Sequence, residues 1–219
     1  MGVLLLPYSF PQYALMFAHA GQPGTVKTVQ ATVSKARKVF RVGKPLTSLS
    51  GFVAPKAADD PPAVDLLKRV KALLMANYFF FDHIVWAHQV GLVKGGTAEG
   101  QRKFQRISLF SWMYGSIATG VLQAVSLVRL STKLSKKLKA EKDPDAKQDL
   151  KEAAQHAAKK QMYAFCHAAV QTTLAMGLLD LLPLGPRTNG GLGMVSSLMQ
   201  CYLLFPGTFP DPKPKAKAE

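Results

Sequence analysis

The residues best suited to chemistry in this chain are few: Asp82, His83 and His88 lie close together, and Cys166 and Cys201 lie far apart. Two imidazoles beside a carboxylate invite a metal site. A spacing of five, however, sets the two histidines about 140° apart on a helix rather than on one face. Neither cysteine belongs to a CxxC pair, and both sit inside apolar runs, so they are expected to pack as small apolar residues. No GxGxxG, P-loop or GxSxG element occurs. No catalytic residue, metal ligand or cofactor is therefore expected, and the polar groups around Asp82 are expected to hydrogen-bond between helices.

Charge is segregated along the 219 residues, which carry a formal net charge of +15. The first 58 residues hold seven Lys or Arg and no Asp or Glu, whereas residues 107–128 hold no formal charge at all. A basic excess seeks an anionic partner, nucleic acid or acidic headgroups. The uncharged stretch favours lipid, and the aromatic residues lie in apolar runs rather than among the lysines, which speaks against nucleic acid. The opening MGVLLLPYSF has no basic n-region and no transit-peptide character, so any targeting signal is expected to be internal. Leu6 stands where N-myristoylation of Gly2 favours Ser or Thr.

The elements that position these residues are helical, and the expected class is all-α: a membrane protein with a basic amphipathic helix followed by about four more helices, one to three of them spanning. Residues 1–58 form the basic amphipathic region, with a helix from Gly24 to about Leu46 that Pro45 and Gly51 help to end. Thr47 to Pro62 reads as a linker whose Asp59 and Asp60 precede the next helix. Residues 59–130 form a helix pair. Its first member, about Ala63 to Val93, carries Asn77, Asp82, His83 and His88 in an apolar half and is expected to pack on protein or lie shallow. Its second holds the principal transmembrane candidate, Ile107 to Val128, whose 22 residues span about 33 Å. Residues 131–160 read as a Lys-rich solvated segment, helical or partly disordered. Residues 161–206 are read as C-terminal membrane helices, the run from Leu192 to Phe205 being short for an upright span, and 207–219 as a polar basic tail.

Two faces on these helices are candidate sites. Val26, Val29, Val33, Ala36 and Phe40 fall within about 80° of arc, a stripe able to enter the headgroup region. Lys27, Lys35, Arg37, Lys38, Arg41 and Lys44 form a basic face around it, with Arg37 and Lys44 near the stripe's edge. Ser116, Gly120 and Ala124 recur every four residues, the small-xxx-small spacing through which membrane helices approach, and a candidate route to self-association.

Three segments carry a family resemblance. SKARKVFRVGKPL at 34–46, FFFDHIVWAHQVGL at 79–92 and GLGMVSSLMQCYLLFP at 191–206 resemble, in order and approximate spacing, blocks of the peroxisomal biogenesis factor eleven (peroxin-eleven) family. The resemblance implies a non-enzymatic peroxisomal membrane protein that elongates and proliferates peroxisomes ahead of fission, both termini facing the cytosol. It also implies a helix over 24–46 that binds acidic lipid and bends the membrane, self-association, recruitment of fission machinery and passage of small metabolites. The ending Lys215-Ala216-Lys217-Ala218-Glu219 is similar to the dilysine signal of some members. The short last apolar run and Lys-rich middle depart from the family pattern.

The sequence thus predicts a protein of the peroxisomal membrane whose partners are an anionic phospholipid membrane, further copies of itself and fission machinery. In mechanism, the valines and Phe40 would wedge among acyl chains while the cations hold phosphates. The alternative is a structural accessory subunit of a large membrane complex, for example a respiratory one of the mitochondrial inner membrane. Stoichiometric co-purification, set against peroxisomal fluorescence of a tagged copy, separates the two.

Overall fold

The computed structural model describes residues 9–58, 60–93 and 97–205; the readings attached to Gly2 and Leu6, to Asp59 and to the dilysine-like ending lie outside them. The described residues form seven helices and no strand: α1 (Ser9–His19), α2 (Thr25–Val39), α3 (Lys44–Val53), α4 (Pro62–Gln89), α5 (Ala98–Ala140), α6 (Pro144–Leu178) and α7 (Pro186–Leu204). The all-α expectation holds, with two helices, α1 and α3, that the sequence reading did not anticipate.

Local chemistry sets the boundaries. α2 opens at Gly24, whose φ of 146° suits glycine and disfavours side chains. Instead of continuing to Leu46, α2 stops at Val39 and residues 40–43 turn before α3 begins. Pro45 starts that helix rather than ending the previous one, because a first-turn residue has no intrahelical use for its N–H. The expected linker from Thr47 is therefore helical to Val53. At its end the Arg69 guanidinium of α4 donates to the carbonyls of Phe52 (2.7 Å) and Ala54 (3.2 Å), satisfying groups that a helix terminus leaves unpaired. Gly51 lies inside α3, at a point where a Cβ would already touch Ala72 of α4 at 3.4 Å.

α5 is capped by Thr97, which accepts the Gly100 N–H, and α6 by Asp143, which accepts the Asp145 N–H with Pro144 next in sequence. Between these caps nothing breaks the Lys-, Ala- and Leu-rich chain, so helix runs straight through residues 130 and 160, where the sequence reading drew boundaries. The Lys-rich middle is accordingly the two ends of an antiparallel α5–α6 hairpin turned at 141–143. α7 likewise begins at Pro186, taking in Gly190 and Gly191.

The helices meet in a closed circuit: α4 on α5, α5 on α6, α6 on α7, α7 on α1, α1 on α2, and α2 back on α4, with α3 laid along α4. Close approach of α1 to α7 depends on glycine. A Cβ at Gly190 would lie 2.5 Å from the Phe17 backbone nitrogen, and one at Gly193 would fall inside the Tyr13 ring.

What fills the interior is small and often polar. Ser108, Ser111, Gly115, Ala118 and Leu122 of α5 are buried along one face, while Tyr114, Ile117, Val121 and Val128 on the other are exposed. A water-soluble bundle shows the reverse arrangement. In lipid, where exposed apolar side chains need no cover, close packing through small residues is the expected design. α5 is, among the described residues, the helix long and apolar enough to cross a bilayer.

Candidate functional site

The site is built where α1, α2 and α4 converge. α2 is turned so that its apolar stripe faces outward: Val26 is 42% exposed, Val29 44% and Phe40 56%, with Ala36 exposed and Val33 half-buried. α3 also exposes apolar side chains: Leu46 (74%), Leu49, Phe52 and Val53. These residues were not among the candidates. Their signal was available, since Leu46, Leu49 and Val53 are spaced three and four apart behind a helix-starting Pro45.

The basic residues divide into two groups. Lys27 and Lys35 are exposed and Lys44 is half-buried, positions from which long stems reach headgroups. Arg37 and Lys38, placed by the sequence reading on a lipid-facing surface, are instead turned into the bundle, at 9% and 8% exposure. The reason is a ready partner. Lys38 Nζ lies 2.8 Å from Asp82 Oδ1 of α4, which gives that carboxylate its expected protein contact. Arg37 donates from Nη1 to Ser9 Oγ at 3.0 Å and its guanidinium carbon sits 6.0 Å above the Tyr13 ring. Arg41, just past the end of α2, donates to the Tyr78 hydroxyl at 3.0 Å and lies 6.0 Å over Phe79. Burial, and then the neighbouring Arg41, pulls the Arg37 guanidinium below its ordinary value.

Other polar side chains of α4 make contacts within the bundle. Asn77 Nδ2 donates to Ser111 Oγ of α5 at 2.8 Å, and the Ser108 hydroxyl donates to the Tyr78 carbonyl at 3.0 Å. The His83 Nδ1 faces the Phe79 carbonyl of its own helix, and the His88 ring stacks on Phe104. Cys166 is exposed and Cys201 half-buried, both unpaired thiols.

The small-residue stripe faces α6 of the same chain. Ser116 donates to Gln171 at 3.4 Å, and the Cα of Gly120 leaves room for Ala168 and Phe165, which a Cβ would meet at 3.8 and 3.9 Å. Ala124 is half-buried one turn further on. Ser116 and Gly120 are thus occupied within the chain and are not presented to a second copy.

Comparison with known proteins identifies the family. A family model described as peroxisomal biogenesis factor 11 matches residues 10–205. The chain is 34% identical over 208 residues to peroxisomal membrane protein 11-1 of Oryza sativa subsp. japonica, covering 94% of this chain and 87% of that one. It is 34% identical over 208 residues to peroxisomal membrane protein 11E of Arabidopsis thaliana, covering 94% and 86%. A peroxisomal membrane protein 11 homolog of Dictyostelium discoideum is 23% identical over 202 residues, covering 83% and 78%. No solved structure matches. With the family model spanning nearly the whole chain and relatives this similar along almost their full lengths, this protein of the peroxisomal membrane belongs to the peroxisomal biogenesis factor 11 family.

Proposed function

We propose that this protein binds acidic lipid through α2 and α3 and bends the membrane, elongating peroxisomes ahead of fission. Its coarser role follows from the family: a peroxisomal membrane protein acting in peroxisome biogenesis. That family is one of biogenesis factors and not of enzymes, and the work we assign to this chain is mechanical, without a catalytic site.

The observation that carries the reading is the orientation of α2. Its cations Arg37 and Lys38 are folded inward while Val26, Val29 and Phe40 are left outside, and α3 likewise leaves Leu46, Leu49, Phe52 and Val53 exposed. Large apolar side chains exposed in this number on a folded bundle mark a contact with lipid or protein. Lys27, Lys35 and Lys44 beside them draw them to an anionic leaflet, each near-surface charge contributing about 1 kcal/mol. Lying shallow, the stripe expands one leaflet and favours positive curvature. α5 keeps many such wedges in the same membrane, where self-association and recruitment of fission machinery would act on the tubule they form.

Full-length protein reconstituted with vesicles containing acidic phospholipid tests this. Val26→Asp/Val29→Asp alters two exposed side chains, so melting should be unchanged while tubulation seen by electron microscopy is lost. Undiminished tubulation by that variant would refute the wedge.

A further inference from the structure

The circuit of helices encloses a cavity of about 470 Å³, within the range of small-molecule sites, to which every helix contributes. Its cationic wall is Arg37, Arg41, Lys44 and Lys71, and no Asp or Glu lines it. α5, α6 and α7 add uncharged hydrogen-bonding groups, Ser116, Gln171, Ser196 and Gln200 among them, and Met75, Trp112 and Leu174 add apolar surface.

Among the described residues, the charge in this region is not balanced. Arg37, Lys38 and Arg41 surround one carboxylate, Asp82, and that carboxylate is already bonded to Lys38, leaving two positive charges uncompensated before Lys44 and Lys71 are considered. Among the described residues, the guanidiniums of Arg37 and Arg41 hydrogen-bond to the neutral hydroxyls of Ser9 and Tyr78 and to no carboxylate. The Arg37 Nε, in a side chain more than nine-tenths buried, has no hydrogen-bond partner among the described residues. Buried charges are ordinarily paired, and a buried guanidinium that lines a cavity without a carboxylate partner calls for an acceptor that is not protein.

We propose that this cavity is a stoichiometric binding site for the phosphate head of one acidic phospholipid, held by Arg37, Arg41 and Lys71. Phosphate matches the planar fork of arginine and supplies the missing negative charge. The neutral polar wall suits hydroxyls on a polyol head such as inositol, and the apolar wall is of use to a lipid but not to a free ion. This site is distinct from the outward wedge, which contacts the bilayer as a surface. A Val26/Val29 variant that fails to tubulate leaves the cavity untouched, so the two ideas fail separately.

The full chain, purified in neutral detergent, is titrated with dihexanoylphosphatidylinositol, dihexanoylphosphatidylcholine or inorganic phosphate. Melting temperature and native mass spectrometry are the readouts. The inositol lipid should raise Tm by about 5–10 °C at a hundredfold excess over its Kd and remain bound at one per chain. Affinity should fall at least tenfold in Arg37→Gln and in Lys71→Gln, and stay unchanged in Lys136→Gln/Lys137→Gln, whose side chains are exposed at the far end of α5. Lys71 forms no ion pair among the described residues, so its variant reports on the site even where Arg37→Gln does not fold. Equal stabilisation by the choline lipid, undiminished affinity in Lys71→Gln, or a full shift with inorganic phosphate and no retained lipid would each overturn the proposal.

Discussion

Asp82 is the residue on which most of the internal electrostatics turn. Three cations lie within its influence, one in direct contact at 2.8 Å, and its own side chain is 14% exposed. Removing one partner of a buried pair strands the other and costs about 3–5 kcal/mol. Asp82→Asn should therefore destabilise the chain by roughly 3 kcal/mol in denaturation of the detergent-solubilised protein. Adding Lys38→Met should recover part of the loss, because the stranded charge is then gone. A loss below about 1 kcal/mol would put the pair in the class of solvent-screened ion pairs. A cluster of Lys and Arg on an amphipathic wheel was legible in the sequence. That two of its members fold inward was not, because Asp82 lies more than forty residues away and nothing local connects them.

At the scale of elements, helix ends are tied by side chains from other helices. Asp60, just before α4, accepts from Lys68 of that helix and from Arg129 of α5 at 2.8 Å. These hydrogen bonds, Lys68 first and Arg129 next, hold the Asp60 carboxyl below its ordinary value. A carboxylate so depressed stabilises the fold above its unfolded pKa of about 4, and that contribution is lost as pH falls through the lower folded value. Melting temperature should thus be insensitive to pH near neutrality and decline on acidification below about pH 4. Asp60→Asn should melt lower at pH 7 and show a shallower acid decline; parallel profiles for the two proteins would dissociate Asp60 from α4–α5 docking. The start of α4 at Pro62 was legible from its Asp- and Pro-rich lead-in. The break between α2 and α3 was not, because Phe40 to Val42 contains no breaker and Gly43-Lys44-Pro45 reads equally as an end and as a beginning.

For the whole molecule, the distribution of polarity decides the environment. α5, with 43 residues, is about 65 Å long, roughly twice the hydrocarbon thickness of a bilayer. Its apolar half carries the outward face of Tyr114, Ile117, Val121 and Val128, and its Lys-rich end extends beyond with the paired end of α6. Introducing Asp at Ile117 and Val121 touches no buried contact, yet places two charges in lipid at about 2.5–3.5 kcal/mol each. The variant should keep its helical circular dichroism in detergent while moving from the carbonate-resistant pellet to the supernatant of cell membranes. Retention in the pellet would show that α5 is not what anchors the chain.

The sequence by itself determined that the chain is helical, that its charge is concentrated in some segments and absent from others, that α5 can span, and that three blocks belong to one family. These properties are written in nearest neighbours: a 3.6-residue period, runs without charge, caps and prolines. Only the tertiary structure decided which way each face points. Periodicity shows that Val26 and Phe40 share a side of α2, but the direction of that side is set by Asp82, Tyr13 and Tyr78 on other helices, which draw the cations inward. The same holds for Ser116 and Gly120, whose stripe fits α6 as well as it would fit another copy, and for a cavity that exists only once α2 closes the circuit onto α4.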